Sequence, residues 1–98
     1  MIITAVVYIH TKEQGGKGKP LFEGNSVNLF FHNPENNTDG YILTEASPGF
    51  FAGNKYTIEL RLRSPELVKD FLYKGSSFKG SEGGTVVLEG TIIQLLDE

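Results

Sequence analysis

The chain has 98 residues, 39% of them apolar, and a formal charge of −3. A domain of that size buries enough surface to fold alone, so one domain over residues 1–98 is expected. The lack of cysteine excludes disulfides, thiolate metal sites and cysteine nucleophiles. The acidic balance argues against phosphate binding by the whole surface. No stretch reaches the ~20 apolar residues of a membrane-spanning helix, and the first residues resemble a strand, not a signal peptide. A cytoplasmic protein with no membrane partner is expected.

Strand signals lead in chain order. Thr4 to His10 is rich in β-branched and aromatic residues, and Ser26 to His32 is a second such run. Tyr41 to Glu45 is a short third. Lys55 to Arg63 alternates, with Tyr56, Ile58, Leu60 and Leu62 on one face and Thr57, Glu59, Arg61 and Arg63 on the other. Period-2 alternation marks a strand with one buried face. Thr85 to Leu96 is the last run, and Gly90 inside it predicts a bulge or a close backbone approach.

Turn signals separate the runs: Gly15-Gly16, Pro20, Gly24-Asn25, Asn33-Pro34, Asn36-Asn37, Asp39-Gly40, Pro48-Gly49, Gly53-Asn54 and Gly83-Gly84. Strands and turns at this density predict an all-β sandwich or barrel. Pro65 to Tyr73 reads two ways. It is either a short helix, with Ser64 as N-cap and an apolar face of Leu67, Val68, Phe71 and Leu72, or an extended strand and loop.

Candidate chemistry is sparse. Gly15 to Lys19 and Gly75 to Gly80 are rich in glycine. Neither has the lysine–hydroxyl pair and following helix of a phosphate-binding loop, so no nucleotide is expected. His10 and His32 each end a strand, and neither has local partners to complete a metal site. There is no nucleophile elbow. The carboxylates are scattered, and no catalytic residue, metal or cofactor is assigned. Lys12, Lys17 and Lys19 on one loop are candidate phosphate contacts, although a solvated loop is the plainer explanation of the lysines. Tyr8, Phe22, Phe50 and Phe51 are candidate protein-interface residues, because a small barrel that exposes aromatics usually does so at an interface. One of Phe30 and Phe31 must face the core and the other outward.

Several motifs recur together. Lys12-Glu13-Gln14-Gly15-Gly16-Lys17 precedes Pro20-Leu21-Phe22-Glu23-Gly24, and the aromatic strand Asn28-Leu29-Phe30-Phe31 follows. Farther on come Gly53-Asn54, Ser64-Pro65, and Phe78 with Glu82-Gly83-Gly84 before the last strand. In this order they resemble the C-terminal barrel domain of bacterial elongation factor Tu over nearly the whole chain. The resemblance implies a closed six-stranded antiparallel barrel of Greek-key type, with at most one short helical turn. In that family the barrel binds the T-stem backbone of aminoacyl-tRNA, packs against a GTPase domain and touches an exchange factor.

The polar positions depart from that pattern. Thr85 replaces the basic residue after Glu-Gly-Gly. Lys17-Gly18-Lys19 replaces a basic-His-Thr stretch, and Asn25 to Asn28 and His32 to Pro34 replace other polar runs. A kept scaffold with an altered surface implies a non-enzymatic binding module. It should engage a protein partner, with tRNA binding weak or absent. An RNA-backbone-binding module that keeps a reduced T-stem grip through Lys12, Lys17, Lys19 and His32 is the second expectation, and an enzyme of unknown type the third.

Overall fold

The computed structural model describes residues 1–97. Six strands close into an antiparallel barrel: β1 (Ile2–Ile9), β2 (Ser26–Phe31), β3 (Asn33–Ile42), β4 (Lys55–Leu62), β5 (Ser77–Glu82) and β6 (Thr85–Leu96). Around the barrel the order is β1-β4-β3-β2-β5-β6. The meander β2–β3–β4, with β5 returning beside β2, is a Greek key. Closure removes long unpaired edges, which would otherwise template pairing with another chain.

The alternation of β4 holds. Ile58, Leu60 and Leu62 are buried and Tyr56 is half-buried, while Lys55, Thr57, Glu59 and Arg61 are exposed. In β1 the buried set is Ile3, Ala5, Val7 and Ile9. Phe31 is the inward member of its pair, fully buried, stacked on Phe71 at 5.7 Å and tilted against Phe78 at 5.8 Å. Phe30 is half-buried on the outer face.

Glycine makes room for large side chains. A Cβ at Gly90 would lie 2.7 Å from Phe78 Cζ and 2.9 Å from Val7 Cγ1. Val7, Gly90 and Phe78 are register partners across β1, β6 and β5. Gly90 is therefore a close-approach site. The register shifts of β6 lie elsewhere, opposite Thr4/Ala5 of β1 and Gly80/Ser81 of β5.

Three expectations need correction. Ser77 to Gly80 belong to β5, although they read as part of a glycine-rich loop. Gly80 is tolerated there because it faces Leu88, whose Cδ1 would be 2.7 Å from an added Cβ. The third strand is Asn33–Ile42 and not Tyr41 to Glu45. Pro34, Glu35 and Asn36 leave the ladder, as turn residues should, while Asn33 and Asn37 stay in it, paired with Phe31 and Phe30. Asp39-Gly40 is no turn but pairs with Asn28 and Val27.

Pro65 to Tyr73 is the third: it is neither one short helix nor an extended strand, and helical structure among the described residues is three short 3-10 turns, Lys12–Gln14, Pro65–Leu67 and Lys69–Phe71. The first has a capping box: Thr11 Oγ1 accepts from the Gln14 N–H, and Gln14 Oε1 accepts from the Thr11 N–H. Pro65 does open its turn, but Ser64 makes no side-chain cap. The expected apolar face is split. Val68 is buried, Phe71 and Leu72 are half-buried, and Leu67 is 65% exposed. Two three-residue turns do not share one helical face.

The long connections cover the barrel ends. Val68 and Phe71, between β4 and β5, pack on the core at one end. At the other, the β1–β2 and β3–β4 connections are joined by a two-residue bridge. Leu21 and Phe50 exchange N–H···O bonds of 3.0 and 2.8 Å. Both side chains are buried.

Candidate functional site

The outer face of the barrel carries the most convergent side chains. The register aligns Lys55 of β4 with Tyr8 of β1, Tyr8 with Glu89 of β6, Glu89 with Lys79 of β5, and Lys79 with Phe30 of β2. This row crosses five strands. It lies in an open groove of about 640 Å³, which also includes Val6, Thr91, Ser76, Ser77 and Gly90. Tyr73 and His32 line it from the connections. Small residues at Gly75, Ser76, Ser77 and Gly90 leave the depth, and aromatic rings give apolar contact area.

Tyr8 is held in place. Its hydroxyl donates to Gln14 Oε1 at 2.9 Å, the same oxygen that closes the capping box. The Lys12–Gln14 turn is thus tied to the outer face of β1. Glu89 has two nitrogen-bearing neighbours: Lys79 is directly across the ladder, and His10 Nε2 is 3.9 Å away. His10 Nδ1 is buried without a hydrogen-bond partner among the described residues. Lys55 and Lys79 are exposed and in no ion pair among the described residues.

The candidate phosphate contacts do not converge. Lys17 pairs with Glu82 at 3.3 Å, at the end of β5 that leads into the Gly83-Gly84 turn. Lys12 and Lys19 are exposed on the same connection. His32 lies beside the opposite end of β5, lining the groove with Ser76 and Ser77 and packing on Phe71 at 5.1 Å. The span of β5 between them is about 16 Å at a strand's usual rise. His32 also takes the left-handed backbone conformation, at φ 66°, to turn β2 into β3. Its position is explained by the turn.

The aromatic candidates separate as well. Phe50 belongs to the core, 6% exposed, with its ring 4.9 Å from that of Tyr56. The expectation of an interface role fails there, because the Leu21 bridge points Phe50 into the barrel end. Phe51 follows it in the chain and is 42% exposed, and Phe22 is 43% exposed. Phe22 and Pro20 both approach Gly49, their atoms 2.9 and 3.2 Å from where a Cβ would be. Tyr8 lies in the groove, whose lining includes neither Phe22 nor Phe51. Lys55, Lys79 and Glu89 did not stand out in the sequence, since only strand pairing unites them.

Among the described residues no group of three His, Cys, Asp or Glu could hold a metal, and no helix is long and apolar enough to cross a membrane. No protein-family model matches the chain.

Proposed function

We propose that the chain is a non-enzymatic binding module, related to the C-terminal barrel of elongation factor Tu, that engages a protein partner. The observation that carries this reading is the pair of exposed aromatics, Phe22 and Phe51. They flank the Leu21–Phe50 bridge on connections held in place by core residues. Exposed aromatic side chains on a rigid base are the residues that anchor protein interfaces. The kinship is supported by the closed Greek-key barrel and by the placement of Glu82-Gly83-Gly84 at the β5–β6 turn.

The RNA reading has less support. Lys17 already has a carboxylate partner, and His32 lies far from it. A few isolated phosphate contacts without a second domain give weak, salt-sensitive binding. Affinity capture from lysate with the wild-type barrel and with Phe22→Ser/Phe51→Ser tests the reading. A stoichiometric protein lost from the double variant supports it. Equal capture by both forms, or submicromolar tRNA binding that weakens steeply with salt, overturns it.

A further inference from the structure

We infer that the outer groove binds an extended acidic segment of a partner protein, with carboxylates at Lys55 and Lys79 and an apolar side chain over Tyr8. This rests on the reading of the chain as a protein-binding module, and it assigns that module a second surface.

The inference follows from charge placement. The chain as a whole carries −3, yet the groove contains two exposed lysines and one carboxylate. Glu89 has His10 and Lys79 beside it, whereas Lys55 has no charged partner among the described residues. Lys55 and Lys79 are three strands apart, roughly 14 Å at normal strand spacing. In an extended peptide, side chains on one face recur roughly every 7 Å. Residues i and i+4 then reach the two lysines, and i+2 falls between Tyr8 and Glu89, where an apolar side chain can lean on the Tyr8 ring, which the Gln14 bond holds still. A pre-organised ring lowers the ordering cost of binding.

Single-stranded RNA fits the same groove less well. It carries a phosphate at every nucleotide and cannot avoid the Glu89 carboxylate in mid-groove. A peptide carries charge only where its side chains do, so it can place a neutral residue there. Complementary charge of this kind sets specificity and register more than raw affinity.

The test is fluorescence anisotropy with three labelled probes. One is a Ser/Gly peptide with Glu at two positions four apart and Phe midway. The second has Gln in place of both Glu, and the third is a ten-nucleotide oligouridylate. The acidic peptide should bind at least fivefold tighter than the Gln peptide. Lys55→Glu/Lys79→Glu should weaken it at least tenfold. The same double variant should gain affinity for a version of the peptide with Lys in place of Glu. Lys12→Glu/Lys19→Glu should leave acidic-peptide binding within twofold. Lys55→Gln/Lys79→Gln serves if the charge reversal disturbs folding, as judged by thermal melting. Peptide binding indifferent to Lys55 and Lys79 overturns the groove assignment alone, and capture dependent on Phe22 and Phe51 would still stand. Oligouridylate binding at least as tightly as the acidic peptide overturns the groove assignment and the protein-partner reading together.

Discussion

β3 and β4 are neighbours in the barrel, paired at only three positions: Gly40 with Leu62, Tyr41 with Arg61 and Ile42 with Leu60. They are stabilised in different ways. β4 buries Ile58, Leu60 and Leu62, so its stability is a matter of apolar area removed from water. In β3 the inward positions are Thr38, Gly40 and Ile42. Only Ile42 offers a large apolar side chain. Thr38 Oγ1 instead accepts from the Ser64 N–H at 2.9 Å, and Gly40 yields its space to Leu29 and Leu60. On the outer face, Asn28 Nδ2 donates to Asn37 Oδ1 and Asp39 Oδ1, both at 3.1 Å. One strand supplies hydrophobic bulk, and the other supplies space and specific polar bonds. A barrel of this diameter has room for few large side chains, so some strands must carry small ones.

The largest expected effect comes from removing the bulk. Leu60 is fully buried. Leu60→Ala should destabilise the fold by about 2–5 kcal/mol, from lost burial and the cavity left behind. Against a total stability of about 5–15 kcal/mol, the variant should unfold at clearly lower urea concentration with an unchanged m-value. A loss below about 1 kcal/mol would mean that β4 is not held as described.

The complementary change fills the space. A Cβ at Gly40 would lie 2.9 Å from Leu29 Cδ1 and 3.3 Å from Leu29 Cγ. Gly40→Val should therefore cost about 1–3 kcal/mol by overpacking. Pairing it with Leu29→Ala should recover part of that loss, giving a favourable coupling energy in a double-mutant cycle. Additive losses would show that the two positions do not share one space.

These opposed roles explain what the sequence discloses. The alternation of β4 is legible because its inward residues are apolar. β3 also alternates from Thr38 to Ile42, but its inward residues are Thr, Gly and Ile, and Asp39-Gly40 has turn composition. Its strand character comes from partners distant in the chain: Leu29 fills the gap over Gly40, and Asn28 bonds Asp39. β5 is hidden for the same reason, since Gly80 faces Leu88. The Thr11–Gln14 capping box goes unread in what looks like a loop, although its T-x-x-Q spacing carries the signal. In the candidate site, Tyr8 and His32 were identifiable as residues, but the row Lys55–Tyr8–Glu89–Lys79–Phe30 was not. It depends on the registers of four strand pairs, and a one-residue slip in any of them would turn a member to the other face.

Thr38 is the next test in order of size. It is 3% exposed, and its hydroxyl accepts the Ser64 N–H where the chain leaves β4. Thr38→Val keeps the shape and removes the acceptor. The Ser64 N–H is then left without a protein partner, at a cost of about 1–2 kcal/mol. Thr38→Ser keeps the oxygen and should lose less than Val. If Val and Ser are equally stable by thermal melting, the hydroxyl contributes shape alone.

The smallest effect separates the outer faces of the two strands. Asp39 and Glu59 are both carboxylates on outward positions, and among the described residues only Asp39 has bonding partners for its side chain. Asp39 Oδ1 accepts from Asn28 Nδ2, and its other oxygen is 3.8 Å from Arg63 Nη1. The Arg63 side chain is 67% exposed, so that ion pair adds little. Glu59 takes part through its backbone: its N–H donates to Thr44 Oγ1 at 2.7 Å, and its carbonyl accepts from the Leu43 N–H at 2.9 Å. Alanine at Glu59 keeps both of those bonds and should change stability by less than about 0.5 kcal/mol. Alanine at Asp39 removes a side-chain acceptor from a half-buried amide and should cost about 0.5–1.5 kcal/mol. Equal losses at the two sites in parallel urea titrations would mean that the Asn28–Asp39 bond does not hold β3. A loss at Asp39 that vanishes in an Asn28→Ala background would trace it to that one bond.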